Sequence, residues 1–221
     1  MSTAKALRWE RRPDARSAEL MDAALEVFAR NGYRNTRLEE VAEAAGVTKG
    51  TIYHYFDTKE ALLLSVCRHY QSLAFDRADE VLRDRSRPAS VRIRLLVQKL
   101  FGNVTPRGRL LMALLVRGVA HDVPRVHDDW LANGPMLLWT LIAQLVHEGQ
   151  AAGEFRSDTN GDIAARVLVS GLMLQLIWQQ HADAVPPLRV DETRLIDTSI
   201  EQFLAALRPT AGEPTEEHVH I

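Results

Sequence analysis

Apolar residues recur at helical spacing along almost the whole of this chain, and no Val-, Ile- or Thr-rich run alternates apolar with polar residues. The chain is therefore expected to be all-α. Helix breakers and caps divide it into elements. Leu20, Ala24, Val27 and Phe28 form one stripe, which Asn31-Gly32 closes with a left-handed cap. Thr36 followed by Glu39 has the spacing of a capping box and predicts a short second helix carrying Leu38, Val41, Ala42 and Ala45 inward and stopping at Gly46. A third short helix is expected from about Thr48 to Tyr55. Asp57-Thr58 then caps a long fourth helix, whose stripe of Leu62, Leu63, Val66, Cys67, Tyr70 and Ala74 runs on toward Leu82 and an end near Asp84.

Further helical segments are expected at roughly residues 90–104, 107–121, 124–152, 161–181 and 191–207. Pro135 falls inside the third of these, where an interior proline removes a backbone donor and clashes with the preceding turn, so Gly134-Pro135 should kink or split the helix. The segments group into a basic arm at 1–13, a helix-turn-helix unit at 14–58, a helical body at 59–208 and a tail at 209–221 expected to be disordered.

Bulk composition narrows the function classes. With 46% hydrophobic residues, 25% charged residues and a net charge of −2, the chain is neither a disordered protein nor a generic polyanion binder. Positive charge is concentrated at the start, where Lys5, Arg8, Arg11 and Arg12 face only Glu10 and could lie along phosphates. The single cysteine, Cys67, excludes a disulfide framework and any paired-cysteine zinc site, and its apolar surroundings suit a small buried side chain. The first 30 residues lack the apolar core of a signal peptide, and no long uncharged apolar run follows, so a cytoplasmic protein is expected. Catalytic signatures such as a Gly-rich phosphate loop, Gly-x-Ser-x-Gly or His-Glu-x-x-His are missing from the sequence, and neither an enzyme nor a cofactor is expected.

Two short helices joined by Ala45-Gly46-Val47-Thr48 suit a helix-turn-helix, whose second helix enters the major groove of duplex DNA. If Val41, Ala42, Val47, Ile52 and Phe56 pack inward on Phe28, then Thr48, Lys49, Gly50, Thr51, Tyr53, His54 and Tyr55 lie on or near the outer face. Lys49 and Thr51 suit base edges, the Tyr and His groups suit phosphates, and Gly50 permits close backbone approach. Lys59, at the N-terminus of the fourth helix, adds a charge that attracts phosphate.

Gly32-Tyr33, Thr36, Val41-Ala42-Glu43-Ala44-Ala45-Gly46-Val47, the run from Thr48 to Phe56, and Lys59-Glu60-Ala61-Leu62 together resemble the signature of the tetracycline-repressor (TetR) family. The resemblance covers about the first 70 residues. It implies a homodimer of about nine helices per chain, Ω-shaped, with an N-terminal three-helix DNA-binding domain and a C-terminal effector-binding and dimerisation domain. It places DNA contacts at Thr36, Arg37, Thr48, Lys49, Gly50, Thr51, Tyr53, His54, Tyr55 and Lys59. His54-Tyr55 stands where Tyr-His is common in the family. The function implied is a repressor that binds a palindromic operator as a homodimer and is released by a small lipophilic or aromatic effector.

In the C-terminal part, residues 163–178 are apolar on nearly every side, which calls for burial on every side. A subunit interface is expected there, through Val167, Gly171 and Leu174 together with Ile196, Ile200, Phe203 and Leu207 of the last helix. Candidate effector contacts are Phe101, Met112, Trp130, Met136, Trp139, Met173 and Trp178, with Arg117, His121 and Gln175 as polar anchors. A metal-sensing alternative would use His121-Asp122, His127-Asp128-Asp129 and His218/His220, although their bland reading is polar loop residues and no metal site is expected.

Overall fold

A computed structural model of the chain describes residues 15–76, 78–102 and 104–209. Among them are twelve α-helical segments and no strand. The basic arm and nearly all of the tail lie outside the described residues.

The N-terminal head consists of α1 (Ala15–Asn31), α2 (Leu38–Ala44), α3 (Lys49–Tyr55) and the first half of α4 (Lys59–Phe75). Its core joins Leu20, Ala24 and Phe28 of α1 to Val41 and Ala42 of α2, Ile52 of α3, and Leu62, Leu63, Val66 and Cys67 of α4, all buried. Two glycines are required by the turns. Gly32 ends α1 at φ +77° and Gly46 makes the α2–α3 turn at φ +65°, a region an L side chain avoids.

The cap of α2 differs from the sequence expectation. Its N-cap is Arg37, whose backbone N–H donates to Glu40 Oε2 at 2.9 Å, so the reciprocal carboxylate is Glu40 and not Glu39. Thr36 is withdrawn from the cap because its hydroxyl donates to Gly32 O at 2.8 Å. That bond ties the loop back onto the end of α1 and frees Glu39 for a different task.

The fourth helix is also shorter than its apolar stripe suggests. It stops at Phe75, and after a turn α5 (Asp79–Arg83) runs in a new direction, carrying Ala78 and Val81 into the body core. The buried Arg92 fixes this end, donating to Leu82 O at 2.8 Å and pairing with Glu148 at 2.5 Å.

The rest of the body is α6 (Ala89–Phe101), α7 (Pro106–Leu114), a π-helical turn (Leu115–Val119), α8 (Ala120–Asp122), α9 (Pro124–Asn133), α10 (Pro135–Ala151), α11 (Gly161–Gln179) and α12 (Glu192–Leu207). Gly134-Pro135 does split the expected helix, into α9 and α10. The body core is built from α6, α10, α11 and α12, with Ile93, Leu96, Ile142, Val146, Val169, Leu176 and Ile200 at its centre.

Apolar packing runs across the junction near residue 58, since Leu111, Leu115, Val119, Val123, Val126 and Trp130 of the body complete the core of the head. Polar ties line the same seam. Tyr70 donates to Asp22 at 2.6 Å, Arg107 reaches Asp22 at 2.5 Å and Glu26 at 3.1 Å, Arg34 pairs with Asp122 at 2.5 Å, and Arg68 with Asp129 at 2.8 Å.

Candidate nucleic-acid interface and adjoining cavity

The turn between α2 and α3 is closed by three backbone bonds, Ala45 N–H to Val41 O, Gly46 N–H to Glu43 O and Val47 N–H to Ala42 O, at 2.9–3.0 Å. Thr48 caps α3 by accepting from Thr51 N–H at 3.2 Å, and the two hydroxyls lie 2.9 Å apart. With Ile52 buried and Phe56 closing the far end, α3 is left standing out of the head. Thr48, Lys49, Gly50, Tyr53, His54 and Tyr55 are exposed on it and Thr51 is half-exposed. Its exposed aromatic residues are unusual for so short a helix, with Tyr53 at 41% and Tyr55 at 37%. A single α-helix of this kind fits the major groove, about 12 Å wide.

Lys49 and Tyr53, one turn apart on α3, converge on Glu39 of α2. The ammonium lies 2.7 Å from Glu39 Oε1, and the phenol donates to the same oxygen at 3.2 Å. The Lys49 hydrogen bond is the main reason the Glu39 carboxyl is held down at about 2, and the same bond raises the Lys49 ammonium. Glu39 therefore orients two groups on the exposed face of α3. The signal for it lay in the sequence, as the acidic residue three positions after Thr36, but was assigned to the cap.

Lys59 is placed differently from its expected phosphate contact. All three of its N–H groups are donated internally, to the carbonyls of Tyr33, Arg34 and Thr36 at 2.7, 3.0 and 2.9 Å. Its ammonium also sits 4.5 Å from the centre of the Tyr33 ring, and burial lowers its pKa. In this arrangement Lys59 holds the α1–α2 loop, and through it the pitch of α2 and α3. Thr36 is only 2% exposed and belongs to the same loop scaffold, while Arg37 is exposed at the N-terminus of α2.

Behind the head, α4, α6, α7, α9, α10 and α11 line a partly open cavity of about 170 Å³. Phe101, Met112, Trp130 and Met173 line it, as the sequence reading expected. The other expected contacts are elsewhere: His121, Met136 and Trp178 are on the surface, Trp139 lies beneath the Arg166 guanidinium at 4.6 Å, Gln175 is not on the wall, and the Arg117 side chain lies outside the described residues. Residues not anticipated on the wall include Tyr70, Gln71, Phe75 and Leu138.

The expected subunit surface is also redrawn. Ile196, Ile200 and Leu207 are at most 3% exposed and form intrachain core, and Phe203 is half-buried against it. One face of α11 leaves four large apolar residues uncovered, Ile163 (59%), Val167 (69%), Leu174 (42%) and Trp178 (41%), with Gly171 between them. The opposite face of α11 is buried through Ala165, Leu168, Val169, Leu172 and Leu176. Although α11 has the length and hydropathy of a membrane span, that face is committed to the body core.

Two of the acidic residues of the metal-sensing alternative are engaged along the seam, Asp122 with Arg34 and Asp129 with Arg68, and Asp128 is exposed. Among the described residues no three His, Cys, Asp or Glu side chains converge on one point.

The family model for bacterial regulatory proteins of the tetR family matches residues 20–66, which span α1 to the middle of α4. Beyond that segment, the transcriptional regulator AcuR of Cereibacter sphaeroides is 30% identical over 164 residues, covering 72% of this chain and 74% of AcuR. The chain belongs to the tetR family. The likeness of this tetR-family regulator extends further at lower identity. The transcriptional repressor KstR2 of Rhodococcus jostii is 24% identical over 199 residues, covering 90% of this chain and 92% of KstR2. Among solved structures, the transcriptional regulator FadR of Bacillus subtilis, in complex with stearoyl-CoA, superposes with a TM-score of 0.71 at 22% identity, covering 86% of this chain and 99% of FadR. That last likeness concerns the fold.

Proposed function

We propose that this tetR-family regulator is a ligand-responsive repressor that binds a palindromic operator as a homodimer and leaves it when a small lipophilic or aromatic molecule fills the body cavity. One observation carries the reading: α4 belongs to both parts. Its first half supplies Leu62, Leu63, Val66 and Cys67 to the core of the head, and its second half supplies Tyr70, Gln71, Leu73, Ala74 and Phe75 to the cavity wall. Tyr70 adds a direct link, lining the cavity while donating to Asp22 of α1 at 2.6 Å. A ligand that displaces the second half of α4 moves the head with it. A coupling of about 1–3 kcal/mol is enough to change DNA affinity some 5–150-fold.

The DNA side rests on the exposed face of α3, with Lys49, Gly50 and Thr51 facing base edges and Tyr53, His54 and Tyr55 facing phosphates. Arg37 reaches the backbone from α2. Thr36 and Lys59 act through the loop that sets the pitch of these helices. Two such heads, joined through the exposed stripe of α11, read successive major grooves about one helical turn apart.

The effector is small because the cavity, about 170 Å³, is nearer to an apolar single-ring site than to the several hundred Å³ of a drug-sized pocket. KstR2 is named a repressor, which agrees with repression, and FadR is seen with stearoyl-CoA, whose acyl chain is apolar. The protein acts in the cytoplasm, without a membrane and without a catalytic role.

In vitro selection of duplex from a random pool tests this reading. The expected result is a pseudo-palindrome with half-sites about ten base pairs apart, retained in a salt-sensitive manner. Failure to enrich any sequence would overturn it.

A further inference from the structure

The cavity wall is apolar, and the polar groups around it are engaged: Tyr70 O–H donates to Asp22, Lys99 pairs with Glu80 at 3.0 Å, and Thr105 Oγ1 accepts from Gly108 N–H at 3.1 Å. Gln71 is the exception. It is 6% exposed and lines the wall, its Nε2 donates to Trp130 O at 2.8 Å, and its Oε1 has no hydrogen-bond partner.

The orientation of this amide is set by the chain. Trp130 O lies in the last turn of α9, where the break at Gly134-Pro135 leaves carbonyls without helical donors. A carbonyl only accepts, so it must face the NH₂ of Gln71, and the oxygen is turned the other way. Gly134 makes room for the arrangement, since a Cβ there would stand 2.7 Å from Gln71 Nε2. A buried acceptor left unpaired is unfavourable, and native proteins rarely keep one without a use.

Resting on the reading of the cavity as the effector site, we propose that its effector is a flat apolar molecule carrying a hydrogen-bond donor, a phenol or an alcohol, and that Gln71 Oε1 is the group that recognises the donor. The residue then selects as well as senses, because it sits on α4 and is tied to α9 through Trp130 O.

The test is a chemical cycle on the full-length protein, using calorimetry with p-cresol and p-xylene, which differ by a hydroxyl in place of a methyl group. Each is titrated into wild type and Gln71→Met, a substitution that keeps volume and removes the amide. Water's own preference for cresol cancels when the cresol-to-xylene affinity ratio is compared between the two proteins. The expected result is a loss of about tenfold or more in that ratio in Gln71→Met, the scale of one buried hydrogen bond, with xylene still binding the variant. An unchanged ratio with both compounds binding would overturn the role of Gln71 and leave the cavity as the effector site. No heat from either compound with wild type would overturn both.

Discussion

Glu39 and Lys59 show how much of the proposed DNA-facing surface is set by residues behind it. Glu39 accepts from Lys49 and Tyr53, and its pKa is depressed to about 2 from an ordinary 4.5, chiefly by the Lys49 hydrogen bond. Because the folded value is lowered, the contact is complete above the ordinary value and is lost only as pH falls through about 2. Carboxyl NMR should therefore find Glu39 titrating well below the ordinary range, and Lys49→Met should move it back toward normal; a normal titration in wild type would show that the pair is not formed. Lys59→Met removes three charge-assisted hydrogen bonds and leaves loop carbonyls unpaired. Urea unfolding should show a loss of about 2–3 kcal/mol, whereas a solvated cation would give almost none. Neither role could be assigned from the sequence. Thr36-x-x-Glu39 and Arg37-x-x-Glu40 offer the same spacing, and only the capture of the Thr36 hydroxyl by Gly32 O decides between them.

Among the elements, the breaks that rest on backbone chemistry were legible and those that rest on packing were not. Gly32, Gly46 and Gly134-Pro135 ended helices where a left-handed residue or a missing donor required it. The end of α4 at Phe75 was hidden because its apolar stripe continues toward Leu82, and the turn into α5 is held by Arg92, distant in sequence. The same limit applied to the last helix, where Ile196 and Ile200 gave an apolar stripe that could equally face a partner or the chain's own core. Gly134 is the element-scale position most open to test. A Cβ would meet Trp130 O at 2.9 Å as well as the Gln71 amide, so Gly134→Ala should destabilise the α9–α10 junction by about 1–3 kcal/mol in thermal or urea unfolding. An unaffected midpoint would mean the junction is not held as tightly as these distances imply.

At the scale of the whole molecule, the head and the body are joined more closely than a linker would join them, by a shared apolar cluster and by the Asp22, Asp122 and Asp129 ties. That continuity is the route by which, in the proposed function, a ligand in the body cavity would act on α3. In the proposed dimer, the exposed stripe of α11 is what would fix the distance between two heads. Val167→Glu, at its most exposed position, should convert dimers to monomers in sedimentation and weaken operator binding steeply, and persistence of dimers would place the subunit contact elsewhere. Fluorescence anisotropy across a salt series, on a selected duplex and on the same duplex with substituted half-sites, decides whether the exposed face of α3 reads DNA. Wild type should bind with an affinity that falls linearly in log–log form with salt, and Lys49→Met should bind more weakly and discriminate less against the substituted half-sites, with its salt slope nearly kept. An unchanged affinity and base preference for Lys49→Met would show that α3 does not read the bases.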